Sequence, residues 1–132
     1  MTPATWLRIG AIAGAIGVAL GAFGAHGLKD KLSEYALGVY TTGVTYQMYH
    51  APALLAVGLL DILGRGGTAV NVAGWAFTAG ILIFSGSLYL LAFTGARWLG
   101  AITPIGGLAF ILGWVALAVA AGSAGRGIAV EV

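Results

Sequence analysis

Between about Ala4 and His26, Val44 and Leu63, Val70 and Phe93, and Ala101 and Ala124 the chain is almost wholly apolar, and charge gathers mainly between these runs. Each run is close to the ~20 residues that cross a bilayer as a helix. In hydrocarbon a helix satisfies its own backbone, which an open strand cannot do. The links Gly64–Thr68 and Thr94–Gly100 are short, so the helices they join are antiparallel neighbours. The longer link, Gly27–Thr42, has a helix signal of its own. Ser33 is a good N-cap, Glu34 suits the positive end of a helix, and Ala36, Val39, Tyr40 and Gly43 form one apolar face. This predicts an interfacial helix over about 33–43 that runs into the second span. Pro52 then falls inside that span, because Pro52–Leu63 alone is too short to cross; it frees the Met48 carbonyl and is expected to kink the helix. The expected fold is all-α: an integral membrane four-helix bundle, with 1–132 as a single transmembrane domain.

Composition agrees with that pattern. Of 132 residues, 60% are hydrophobic and 8% charged, against about 25% charged in an ordinary soluble domain. So few charges cannot keep the surface of a small domain in water. The net charge of +2 rests on six scattered bases, with only Lys29 and Lys31 close together. No basic stripe exists to follow a phosphate backbone, which excludes nucleic acid as a partner. The chain has no cysteine, so thiol catalysis, thiolate metal sites and disulfides are excluded. Arg8, the apolar stretch Ile9–Leu20 and the small pair Gly24-Ala25 also have the layout of a signal peptide; we read this segment as a span. Arg8, Arg65 and Arg126 fall on one side of the membrane and Lys29, Lys31 and Arg97 on the other, so the positive-inside rule is tied. Trp6, Tyr35, Tyr40 and Trp98 lie near span ends, where interfacial aromatics are expected.

Glycine marks nearly every turn of the first span. Gly10, Gly14, Gly17, Gly21 and Gly24 are spaced 4, 3, 4, 3, a repeat that holds them on one seam. Each would cost roughly 0.8–1 kcal/mol in a helix in water. In a membrane such a groove instead lets a second backbone approach closely. The fourth span carries a similar seam in Gly106, Ala109, Gly113, Ala116, Ala120 and Ser123. The simplest expectation is that spans one and four pack groove to groove within the bundle; the alternative is that a groove faces another copy of the chain or a partner in a larger membrane complex.

The densest polar cluster, Thr45 to His50, lies on span two. Tyr46, Tyr49 and His50 share a face, and Gln47 lies three residues before His50. Such groups either lock helices together or form a polar pocket, since ionisable groups in a membrane are costly and often functional. His26 ends span one, and two histidines on neighbouring helices can ligate haem or a metal; two alone do not make a site, and no cofactor or metal is expected. Ser85 and Ser87 fall mid-span on the third run. No Gly-x-Ser-x-Gly elbow is present and no aspartate is placed to orient His50, so Ser–His hydrolysis is not expected.

The stretches GAFGAHGL (21–28), YQMYHAPALL (46–55), FSGSLYLLAFTG (84–95) and ITPIGGLAFILGW (102–114) together resemble one family over nearly the whole chain. It is the small integral-membrane family catalogued as domain of unknown function 423, with YgdD-like and YwdK-like bacterial members and transmembrane protein 256 relatives. The resemblance implies a multi-pass protein of the bacterial inner membrane, embedded in the lipid bilayer, and implies no activity. Ala51-Pro52-Ala53 departs from the family's alanine-leucine-alanine at this point. By matching positions, any family site would draw on His26, Gln47, Tyr49, His50, Ser85, Ser87 and Thr103. The function expected is that of a non-enzymatic bundle component, either an accessory subunit or a self-associating scaffold. A small-solute transporter or binder of an apolar ligand at span two is the alternative.

Overall fold

The glycine seam of the first span sets how the bundle begins. In the computed structural model, which describes residue 2 and residues 4–65 and 67–130, helix α1 runs Thr5–His26. Its seam lies against helix α2, Glu34–Ile62. Gly24 faces the Tyr40 ring, Gly21 faces Val44, Gly17 faces Met48, Gly14 faces Ala51, and Gly10 faces Leu54 and the Ala51 carbonyl. Side chains of α2 thus fill, one after another, the groove that α1 leaves empty. All five glycines of the seam face α2, not the last helix. The expected pairing of spans one and four is corrected: α1 packs along α2, and the seam of the last helix is used elsewhere.

Ser33 caps α2 as expected, its hydroxyl accepting from the Ala36 amide at 3.1 Å. The predicted interfacial helix and span two are one unbroken helix that passes through Pro52. A helical run α3 follows over Gly67–Thr94. It is α-helical over Gly67–Gly80, widens to a π turn at Ile81–Ser85, and is α-helical again to Thr94. The sequence reading did not anticipate this π turn. Gly95, at φ 69°, adopts the left-handed conformation that stops α3, and its amide bonds the Leu91 carbonyl at 2.8 Å. Helix α4, Leu99–Val130, lies against α3 and extends beyond the expected end at Ala124. Gly106 meets the Phe84 backbone, Gly113 the Phe77 ring, and Gly80 of α3 admits Phe110. The small-residue seam of α4 therefore serves α3.

The bundle is two helix pairs, α1 with α2 and α3 with α4, joined chiefly through α2 against α3. One apolar core draws on Trp6, Leu54, Val57, Phe77 and Phe110 from all four helices, and a smaller one forms around Tyr40 and Ala92. Trp6 and Tyr40 are corrected from interfacial anchors to core residues at 0% and 1% exposure, whereas Tyr35 and Trp98 are exposed. The Tyr40 hydroxyl donates to the Leu20 carbonyl at 2.5 Å. By length and composition α1, α3 and α4 can each cross a membrane. Helix α2 is long enough at 29 residues but more polar, and α1, α3 and α4 all touch it. Its Gln47 and His50 therefore have protein to face.

Candidate functional site

The polar cluster on α2 divides, because neighbouring residues of a helix point in different directions. Gln47 turns between α1 and α3. Its Nε2 donates to the Ala13 carbonyl at 2.8 Å, and its Oε1 accepts from the Tyr89 hydroxyl at 2.6 Å. One amide thus ties α2 to a backbone carbonyl of the glycine-rich helix and to a phenol of α3. The Ala13 carbonyl is reachable because Gly17, one turn on, carries no side chain there; a Cβ on Gly17 would crowd Met48 and touch the Gln47 amide.

His50 turns towards α4. It stacks on Phe110 with ring centroids 3.6 Å apart and planes 7° from parallel. Nδ1 lies 2.6 Å from the Tyr46 carbonyl, and Nε2 accepts from the Trp114 indole N–H at 3.1 Å. A carbonyl can only accept and an indole N–H can only donate. The network therefore assigns a neutral imidazole with its proton on Nδ1. Both nitrogens are engaged, so neither is open to a metal or to a substrate proton in this arrangement.

Ser85, at the end of the π turn and fully buried, donates to the Gly43 carbonyl on α2 at 2.7 Å. Gly43 makes that approach possible, since a side chain there would strike the Tyr89 ring and the Ser85 carbonyl. Ser87 pairs with Thr103 at 2.6 Å and joins α3 to α4; the two hydroxyls also reach the Phe84 and Leu99 carbonyls of their own helices. Tyr49 faces outward at 63% exposure, and His26 lies exposed at the last residue of α1. The register keeps His26 and His50 apart: Gly24 faces Tyr40, which places His26 about 18 Å along α2 from His50.

Of the seven candidate residues, Gln47, His50, Ser85, Ser87 and Thr103 are joints between helices, at separate places. Sequence reasoning missed the partners Tyr89 and Trp114. Trp114 carries its polar tip in the middle of an apolar run instead of at its end, where membrane aromatics usually sit, and Tyr89, four residues from the end of its run, reads as an ordinary interfacial aromatic. Two clefts open sideways. One of about 380 Å³ lies between α1 and α3, walled by Ile12, Ile16, Ile81 and Leu82 and floored by Gln47 and Tyr89. A larger one of about 880 Å³ lies between α2 and α4, beside His50, and is walled by Tyr46, Tyr49, Phe84, Phe110 and Trp114.

Apolar helices of spanning length, with polar side chains paired to one another across helix boundaries, define an integral membrane protein of the helical-bundle class. The chain belongs to the family described as protein of unknown function (DUF423), which matches residues 20–107. It is 52% identical over 117 residues to a UPF0382 membrane protein of Staphylococcus epidermidis, covering 87% of this chain and 93% of that one. It is 51% identical over 116 residues to the UPF0382 membrane protein YwdK of Bacillus subtilis, covering 88% and 94%. No solved structure matches. The family that the four motifs suggested is thus the right one.

Proposed function

We propose that this chain is a non-enzymatic component of the bacterial inner membrane, all four of its helices spanning the bilayer, and that it works as an accessory subunit or self-associating scaffold. One observation carries the reading: the buried polar residues Gln47, His50, Ser85 and Ser87 are all engaged in joining helices, and among the described residues the Trp6 indole N–H is the buried side-chain donor left unpaired. Gln47, His50, Ser85 and the Ser87–Thr103 pair each bridge two or more helices. Groups held this way build a rigid scaffold and present no nucleophile with a free base beside it. The test is native mass spectrometry of the protein drawn from its own membrane in mild detergent. Other polypeptides in fixed ratio make it an accessory subunit, and a defined homo-oligomer makes it a scaffold. A lone protomer contradicts the proposal.

The cleft beside His50 supports a second reading, a binder of a membrane-soluble ligand. Its volume of about 880 Å³ lies within the range of small-molecule sites, and such sites are typically apolar with a few polar groups.

A further inference from the structure

The register of the helix pairs gives the depth of each residue. Helix α1 is about 33 Å long, close to the thickness of the hydrocarbon core. Its centre falls between Gly14 and Gly17, which face Ala51 and Met48 on α2. The second pair agrees: Phe110, which stacks on His50, fits against Gly80, near the middle of the run Gly67–Thr94. Tyr49 and His50 therefore lie at the bilayer midplane, with Tyr46 one turn away.

At that depth two phenols stand out. Tyr46 and Tyr49 are 38% and 63% exposed, and among the described residues neither hydroxyl makes a hydrogen bond. The nearest water is roughly 16 Å from Tyr49 and roughly 11 Å from Tyr46 along the helix, farther than a tyrosine reaches. Hydrocarbon offers a phenol no partner, and leaving one unpaired there is unfavourable. Both tyrosines line the large cleft, whose other walls are the faces and edges of His50, Phe84, Phe110 and Trp114. The Tyr46, His50 and Phe110 rings lie within 19° of parallel in each pairing.

We propose that this cleft binds a membrane-soluble ring compound of the quinone class: a flat ring bearing carbonyl oxygens, with an apolar tail. The ring stacks on the aromatic wall, its carbonyls accept from the Tyr46 and Tyr49 hydroxyls, and the tail leaves through the lateral opening into the bilayer. An acyl chain would fill the same space but would leave both hydroxyls unpaired. The proposal rests on the ligand-binding reading above and names the ligand that reading lacks.

The test uses the whole protein in lipid nanodiscs, with a naphthoquinone carrying a short isoprenoid tail as probe. The readout is the part of tryptophan quenching that disappears in Trp114→Phe. The expected result is saturable quenching, weakened about fivefold in Tyr46→Phe and again in Tyr49→Phe, the effect of one neutral hydrogen bond each. Thermal stability stays unchanged in both variants, because these hydroxyls make no bond within the protein. A naphthalene with the same tail and no carbonyls competes weakly. If it competes as well as the quinone and the tyrosine variants bind normally, the quinone assignment is overturned while ligand binding stands. Absence of saturable quenching overturns both. Loss of a homo-oligomer in Tyr49→Phe, without quinone binding, identifies the face as a contact between copies and likewise overturns the proposal.

Discussion

Gly106→Ala should destabilise the bundle, while Gly107→Ala, one residue on, should not. The contrast comes from what a methyl group would meet. At Gly106 an added Cβ would collide with the Phe84 backbone nitrogen and lie 2.7 Å from its Cβ and 2.8 Å from its Cα. Carbon atoms rest about 3.5–4.0 Å apart, so each contact is short by close to 1 Å. The obstacle is the backbone of the π turn, which no rotamer change can move. Either α3 and α4 separate locally or the turn shifts, and overpacking of this kind costs about 1–3 kcal/mol. At Gly107 the Cβ would lie 3.9 Å from the Phe84 ring, an ordinary contact. Both replacements gain up to about 1 kcal/mol of helix propensity, so that term cancels between them. The expected difference is therefore about 1–3 kcal/mol, with Gly107→Ala equal to or above the parent. Unfolding titrations in mixed micelles, followed by tryptophan fluorescence, measure it. Equal stability of the two variants would refute the claim that α4 meets the π turn at backbone distance.

Three further expectations follow from the polar joints and the helix order. Gln47→Leu should cost about 1–2 kcal/mol, and a double-mutant cycle with Tyr89→Phe should show coupling of about 0.5–1.5 kcal/mol; additive effects would mean that the 2.6 Å bond between them contributes nothing. Nitrogen NMR of the histidine side chains should find His50 neutral and protonated at Nδ1, and a proton on Nε2 instead would contradict its acceptance of the Trp114 N–H. In sealed vesicles, single cysteines at Lys31 and Arg97 should label from one side and cysteines at Arg8 and Arg65 from the other; labelling of Lys31 and Arg65 from the same side would remove α2 as a span.

Much of the fold was legible because the bilayer imposes it. Long apolar runs between charges had to be helices, and Ser33 was recognisable because a cap is a local event. The pairing of helices was not. The seam on α1 says that something approaches closely, and a row of glycines carries no mark of what. The complementary row was present on α2: Tyr40, Val44, Met48, Ala51 and Leu54 recur at intervals of three and four. Reading that row as the filling for the groove would have pointed to α1 with α2, whereas matching one small-residue seam to another pointed to the wrong pair. The π turn depends on contacts between α3 and its neighbours and has no signature within Ile81–Ser85. For the site, the residue types stood out in an apolar chain, but their partners did not. Gln47 and His50 lie only about 60° apart on one helix yet reach different neighbours, so closeness in sequence suggested a pocket where the molecule has separate joints.

Helix α2 packs along α1 and closes the glycine groove. The absence of native cysteine makes one measurement direct. A Cβ at Gly14 would lie 3.9 Å from the Ala51 Cβ, within the span of a disulfide. Under mild oxidation in the membrane, the Gly14→Cys/Ala51→Cys protein should form an intramolecular disulfide in high yield, and Gly14→Cys/Ala109→Cys should not. Crosslinking of the second pair without the first would restore the groove-to-groove packing of the first and last helices and contradict the arrangement described here.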